Sequence, residues 1–351
     1  MGFYWVVCSE RVECFLDENK VFSDSYDHWR NAICRLLGVD DKTARAWVEN
    51  YYEDINTNSI YESLIRSTRH FFDCGKFPEQ FENDKMIYSE IFDDLEDFQI
   101  IGSMQSRHAS LFKKNTLELA DPPAYNEDYF EHGTSSGVGY GDLSAQSDWR
   151  IEKSDRYFLK IIETLKKNEL NLKQDSKVLD IGSGYGFMRL PYEKNGFTTY
   201  GVEVSSHAAE VAKRKFGLDT FIGEISDLID AENYDLILAY DIIEHIKAPD
   251  QFFAKCASIL NPGGFLVLRT PNLFSLEAQA FGEKFHSFKR EHLHYFSVES
   301  LAMLLMSNSL KIIDSSTLSH LFSGFINIDC ASLEKSGLGS DIFCISRKLI
   351  A

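Results

Sequence analysis

The apolar run Val178-Leu179-Asp180-Ile181 ends directly on Gly182-Ser183-Gly184-Tyr185-Gly186-Phe187, and this junction constrains the fold more than any other part of the chain. A strand pattern stops at a loop with glycine at every second position, and a helical pattern follows. Glycine lacks Cβ, so backbone can approach a ligand closely and adopt left-handed angles there. The helix start behind such a loop favours a carboxylate. The spacing is G-x-G-x-G. A dinucleotide site needs G-x-G-x-x-G, and Phe187 stands where its last glycine would fall. No Gly-Lys-Ser/Thr follows, so the loop is not a phosphate-binding P-loop either.

The surroundings repeat one theme. A helix is predicted near Tyr157 to Lys167. Apolar strand runs follow at Lys177 to Ile181, Thr199 to Val204, Thr220 to Ile222, Leu236 to Tyr240 and Phe265 to Arg269. Helical stretches such as His207 to Phe216 and Gln251 to Leu260 separate them, and runs at Leu310 to Ser315 and Asp341 to Ile345 read as two further strands. Strand–helix alternation predicts an α/β fold, a doubly wound and mostly parallel sheet covered on both faces. Such sheets bind ligands at the carboxyl ends of their strands.

Upstream the texture differs. Residues 1–120 carry aromatic and charged residues at helical spacing, among them Trp29, Ile33, Leu36, Tyr61, Leu64 and Phe72. They predict a mainly helical, acidic N-terminal region. Phe81 to Ile100 is read as a helix with one solvated acidic face. Residues 121–150 form a Pro/Gly/aromatic loop, from Asp121-Pro122-Pro123 through Tyr125, Tyr129 and Phe130 to Gly141, that reads equally as a surface loop or a lid. Residues 151–351 form the predicted ligand-binding domain.

Composition narrows the partners. The formal net charge of -18 repels phosphate backbones, which argues against nucleic acid. Seven scattered cysteines without a CxxC pair argue against a disulfide framework and a zinc ribbon, and predict reduced thiols in the cytoplasm. The apolar start, Gly2 to Cys8, is too short for a signal segment or a membrane span. Val6 stands where a myristoylation signal wants Ser or Thr.

The glycine loop resembles motif I of class I S-adenosylmethionine (SAM)-dependent methyltransferases, and four later segments resemble that family in order. The fold then implied is Rossmann-like, with seven strands, the last antiparallel. The resemblance implies that Asp180 orients the methionine end of SAM, with Gly182, Ser183, Gly184, Tyr185 and Gly186 forming the loop. It implies that Glu203, in Tyr200-Gly201-Val202-Glu203-Val204, holds the ribose hydroxyls. Its position about twenty residues on is also the distance that ribose-binding acids keep in open α/β folds. Gly223-Glu224-Ile225 resembles the adenine-contacting segment. Tyr234-Asp235-Leu236-Ile237 and Leu260-Asn261-Pro262-Gly263-Gly264 resemble the fourth strand and the turn before the fifth. Val204, Glu224, Ile225, Tyr240 and Asp241 complete the implied cofactor set.

Asp241-Ile242-Ile243-Glu244-His245 follows the fourth strand. On a helical turn Asp241, Glu244 and His245 would share one face. The segment resembles the D/E-x-x-E-H of ubiquinone-biosynthesis O-methyltransferases, where these side chains bind a divalent metal in part of the group and the His is a proposed base elsewhere. A His beside a carboxylate suits general-base work near neutral pH. Capping and loop geometry are the structural alternative. Arg290 to Ser297 resembles another segment of the same branch. There His292 is the second base candidate, and His292 and His294 would share a face on an extended strand. Ser297 is a predicted N-cap. Phe274, Phe281, Phe285, His286 and Phe288 form either an aromatic flap or a packed helix.

The resemblance therefore implies methyl transfer to a small-molecule acceptor, with oxygen on a sugar, lipid or secondary metabolite preferred over nitrogen or carbon. The alternatives are a non-catalytic SAM-binding module and an NAD-dependent oxidoreductase. The second is opposed by the glycine spacing. Residues 1–120 are left as a cap, a dimer surface or a site for a partner protein.

Overall fold

The structure is a computed structural model describing residues 85–89, 98–103, 108–113, 115–116, 119–132, 139, 143–228, 233–275, 278, 287–318, 337 and 339–349. The helices predicted around Trp29 and Tyr61, and Phe281, Phe285 and His286 of the aromatic flap, lie outside them. Contacts divide the chain into two compact units, one of residues 1–117, 272–288 and 316–341, the other of residues 118–271, 289–315 and 342–351.

In the first unit β1 (Lys85–Ser89), β2 (Phe98–Ser103) and β3 (His108–Lys113) form an antiparallel meander, with Ile87 opposite Ile101 and Ile100 opposite Leu111. This corrects the helix predicted over Phe81 to Ile100. Five of the seven acidic residues in that stretch lie at positions 90–97, between the two strands. Phe98-Gln99-Ile100-Ile101 is aromatic and β-branched, a composition that favours strands. Ile100, Ala109 and Leu111 are buried.

The second unit carries the rest. Helix α1 (Glu127–Glu131) lies in the segment expected to be loop; the Asn126 side chain caps it by accepting from the Tyr129 N–H at 3.2 Å. Helix α2 (Ser147–Lys167) starts ten residues before its predicted onset at Tyr157. Then come β4 (Lys177–Ile181), a 3-10 turn (Phe187–Arg189), α3 (Leu190–Lys194), β5 (Thr198–Glu203), α4 (Ser206–Phe216), β6 (Phe221–Ile222) and β7 (Tyr234–Tyr240). A second 3-10 turn (Ile243–His245), α5 (Pro249–Ile259), β8 (Leu260–Pro271), β9 (His294–Tyr295), α6 (Val298–Ser307), β10 (Leu310–Leu318) and β11 (Asp341–Lys348) complete it. The helix expected behind the glycine loop is thus a 3-10 turn and five α-helical residues.

Seven strands form one mixed sheet in the order β10-β11-β8-β7-β4-β5-β6, with an antiparallel strand at its end. Strand β4 pairs in parallel with both β5 and β7, and β7 with β8. The chain leaves β4 toward one edge and later returns to β7 on its other side, so the carboxyl ends of β4 and β7 flank the topological switch point. The central strands are apolar on both faces because helices cover both. Leu236, Ile237, Leu238, Ala239, Leu266, Val267 and Leu268 are fully buried, each at 0% or close to it. Ser297 caps α6 as predicted, in a reciprocal capping box with Ser300. Cys256 and Cys344 are free, buried thiols. No helix among the described residues is long and apolar enough to cross a membrane.

Phe253 on α5 is wholly buried in the core beneath this sheet. Phe253→Ala is expected to lower unfolding free energy by about 3–5 kcal/mol, the range for deleting a buried aromatic ring. Urea unfolding would measure it, and a loss under about 1 kcal/mol would mean that this core is not packed as described.

Candidate active site

Three glycines carry the chain off the end of β4 with φ of 63°, 51° and 83° at Gly182, Gly184 and Gly186. At Gly182 a Cβ would lie 2.0 Å from Ile242 Cδ1, so the Ile242 side chain would have to shift, and the φ of 63° strains any other residue there. Gly184 differs, because a Cβ there would meet no atom within 4 Å. Its backbone faces open space and can approach a bound molecule.

Beside this opening lie buried polar atoms with no hydrogen-bond partner, Asp180 Oδ2 and Ser183 Oγ. Leaving a buried acceptor unmatched costs about 1–3 kcal/mol, more for a charged group. Burial pushes the Asp180 carboxyl up to about 7; the nearby Glu203 charge adds to the rise, and Arg189 opposes it. Arg189 spends its hydrogen bonds elsewhere, on Thr199, Thr220 and the Asp219 carbonyl. Asp180 is therefore a desolvated carboxylate that a cationic donor would satisfy.

Glu203, at the end of β5, is buried and accepts from the Gly184 N–H at 2.8 Å and the Ser205 N–H at 2.9 Å. Burial raises its pKa, and these backbone donors work against the rise. Next to it Val204 is an exposed apolar side chain. Ile225 is buried, while Glu224 is exposed and closes a capping box with Asp227. Tyr185 and Tyr240 turn inward: Tyr185 packs on Phe130, and Tyr240 stacks on Tyr157 at 5.3 Å. Only their backbones remain to face a ligand.

Asp241 begins the turn after β7 with φ 55°, a sparsely populated conformation for a residue other than glycine. Its Oδ2 pairs with Arg269 at 2.9 Å, and its Oδ1 is buried without a partner. The expected grouping of Asp241 with Glu244 and His245 changes here. The left-handed turn gives Asp241 to Arg269, and His292 takes its place. Ligand atoms of Glu244, His245 and His292 lie within 4.8 Å of one another, with the two imidazole rings edge to face at 4.9 Å.

The tautomer of His245 follows from its partner. Nδ1 lies 2.7 Å from the Glu291 carbonyl oxygen, which can only accept. Nδ1 therefore carries the hydrogen, and Nε2 of the neutral ring keeps its lone pair. Burial lowers the His245 pKa, although the Glu291 charge and carbonyl oppose that shift, so the neutral form prevails near pH 7. Glu244 is fully buried and accepts from the Thr270 hydroxyl at 2.9 Å. Burial, with the Asp241 charge, drives its pKa well above the carboxylate range.

His294 does not join. His292 lies in a turn before β9, its N–H bonded to the Lys289 carbonyl, so the two histidines share no strand face. His294 Nε2 lies 3.4 Å from the Lys247 carbonyl, and burial lowers its pKa.

The sequence places Tyr125 in the loop that reads equally as surface loop or lid, and gives it no role in the site. Tyr125 lies edge-on to His245 at 6.2 Å and to Tyr129 at 5.0 Å. Burial and the charges of Glu291, Glu244 and Glu203 raise its phenol pKa, so it remains an O–H donor. The signal was the aromatic spacing Tyr125, Tyr129, Phe130, too dense for a plain linker. The Gly139 N–H also reaches Glu291 Oε2 at 3.1 Å, and Lys247 pairs with Asp121 at 2.6 Å. Through Glu291, the segment before α2 is thus tied to the residue whose carbonyl holds His245.

A family model described as a methyltransferase domain matches residues 152–315. The chain is 31% identical over 108 residues to a ubiquinone biosynthesis O-methyltransferase of Bradyrhizobium, covering 29% of this chain and 43% of the relative. It is 28% identical over 179 residues to a phosphoethanolamine N-methyltransferase of Plasmodium falciparum, covering 48% of this chain and 66% of the relative. The chain therefore spans less than half the length of the first and about two thirds of the second. A SAM-dependent methyltransferase structure from Archaeoglobus fulgidus superposes with a TM-score of 0.46 at 16% identity, over 59% of this chain and 99% of its own.

Proposed function

We infer, from the premise that residues 152–315 are a methyltransferase domain of the class I SAM-dependent superfamily, that this chain methylates a small-molecule acceptor, with oxygen as the preferred atom. The observation that carries the reading is the pairing of an unsatisfied buried carboxylate, Asp180, with the open backbone at Gly184. The unpartnered Asp180 oxygen fits the cationic amine of a SAM methionine moiety. Glu203 retains lone pairs for the ribose diol, and Val204 and Ile225 offer apolar surface to the adenine. When bound, SAM supplies a methyl group already activated on a sulfonium.

The remaining chemistry belongs to the acceptor. His245 Nε2 accepts the proton of the acceptor hydroxyl as its oxygen takes the methyl, and the Nδ1 bond to the Glu291 carbonyl keeps the ring in that tautomer. The Tyr125 hydroxyl donates to the acceptor, and the Tyr125 ring excludes water from one side of His245. Positioning can supply several kcal/mol, and the base a further factor of about 10²–10⁴. The geometry of Glu244, His245 and His292 favours a second reading as well. Two imidazoles and a carboxylate are a donor set for a divalent ion, which would polarise the acceptor oxygen.

The test is methyl transfer from labelled SAM to a panel of hydroxyl and amine small molecules, with and without a chelator. Labelled hydroxyl products that persist in chelator support the His245 mechanism. Products lost in chelator and restored by a divalent ion favour the metal reading. Label on amines alone replaces oxygen by nitrogen. No product from protein that binds SAM leaves a binding module.

Cofactor affinity is expected to depend on pH through Asp180. The ionised carboxylate is the form that pairs with an amine cation, and its pKa lies at about 7. SAM affinity should rise with pH toward about 7 by up to tenfold per unit and level off above it. The unliganded fold shows the opposite slope. The folded pKa lies above the ordinary value of 3.8, so the native state holds an extra proton and loses stability as pH rises between these values. Calorimetry across pH 5.5–8.5 checks the first trend, and a flat affinity profile contradicts it.

A further inference from the structure

Tyr185 stands between two left-handed glycines, so its side chain is the anchor of an otherwise pliant loop. That side chain is buried. Its ring packs on Phe130 at 5.7 Å, and its hydroxyl donates to Glu131 Oε1. Both partners belong to α1, outside the sheet and its covering helices. Glu131 also accepts from the Ser144 hydroxyl at 3.1 Å, and His207 of α4 lies 3.5 Å from the same carboxylate and 3.3 Å from the Tyr185 hydroxyl. Burial is the largest single influence on the Glu131 carboxyl and raises its pKa, but the hydrogen bonds from Tyr185, Ser144 and His207 and the proximity of His207 together outweigh it and lower the pKa, so the carboxylate stays ionised. Meanwhile the Gly184 N–H, one residue before Tyr185, is bonded to Glu203. Tyr185 thus links α1 to the backbone assigned to the cofactor.

We propose that Glu131 is a positioning residue which, through Tyr185 and His207, clasps α1 onto the glycine loop and sets how long the cofactor stays bound. This rests on the assignment of SAM to that loop. A hydrogen bond to a charged group contributes more than a neutral one, so its loss should be visible in a rate. Glu131 touches neither the cofactor carboxylates nor the His245 cluster. Its removal should speed dissociation and leave the base untouched.

The experiment is stopped-flow release of S-adenosylhomocysteine from the full chain and from Glu131→Gln and Tyr185→Phe. The expected result is release faster by about tenfold in each. In Glu131→Gln the pH profile of methyl transfer under saturating cofactor should not change, and the double variant should lose no more than either single one. Amide exchange in the wild-type chain gives a reading that no variant can spoil by misfolding, since residues 127–131 should be slowed when S-adenosylhomocysteine binds. Wild-type release rates in folded variants, or exchange at 127–131 unaltered by bound ligand, overturn the clasp and leave the methyltransferase reading standing. Failure of the wild-type chain to bind S-adenosylhomocysteine overturns both.

Discussion

Asp180→Asn is expected to weaken SAM binding by one to two orders of magnitude while making the unliganded protein more stable. The carboxylate is buried, its Oδ2 has no partner, and its pKa stands at about 7. Replacing it with a neutral amide of the same shape removes the desolvated charge, which relieves the fold at pH 8. The same change removes the charge-assisted bond to the amine of the cofactor, worth about 1.5–3 kcal/mol, or roughly 10–150-fold in Kd. Opposite signs for stability and affinity separate a ligand-binding carboxylate from a structural one. Glu203→Ala should weaken binding comparably but with a loss of stability, because Glu203 is already bonded to the Gly184 and Ser205 amides. Thermal melts and calorimetry on both variants decide the matter. If Asp180→Asn lowers stability and leaves affinity intact, the carboxylate serves the fold alone.

His245→Ala is expected to lower kcat by about 10²–10⁴ and leave the SAM Kd within about threefold. The residue holds its proton on Nδ1 against the Glu291 carbonyl and presents Nε2 as a base. Its lowered pKa means that wild-type kcat should fall only on the acid side, below the ordinary histidine value of 6.5. That limb should vanish in the variant. His292→Ala, which removes the neighbouring ring at 4.9 Å, should have the smaller effect on kcat. A His245→Ala enzyme with full kcat would take the base away from this cluster.

The sheet was legible because its strands are short apolar runs bounded by glycine, with helical periodicity between them. Lys177 to Ile181 falls on β4 with no change of boundary. The second strand is displaced by one residue at both ends, and the third and fourth by one and two residues at their starts. The glycine loop was legible for a chemical reason, since its left-handed backbone strains other residues and a Cβ at Gly182 would push on Ile242. What failed was anything decided by tertiary contact. Phe81 to Ile100 kept a helical charge pattern yet contributes residues to two strands, because Phe98, Ile100 and Ile101 pair across a meander instead of lining a helix face. The sequence singles out Glu244, His245 and His292 separately, and spacing along a turn could not foresee φ 55° at Asp241 or its pairing with Arg269, 28 residues away. His292 comes from a segment about fifty residues downstream. Glu131 lay unnoticed because its role exists only once α1 rests on Tyr185.

The most direct test of the central claim is a calorimetric titration of the full chain with S-adenosylhomocysteine, with NAD as control. Saturable one-to-one binding of the former, absent for NAD and abolished in Asp180→Ala, is expected. Binding of NAD, or no binding of S-adenosylhomocysteine by a demonstrably folded chain, would contradict it.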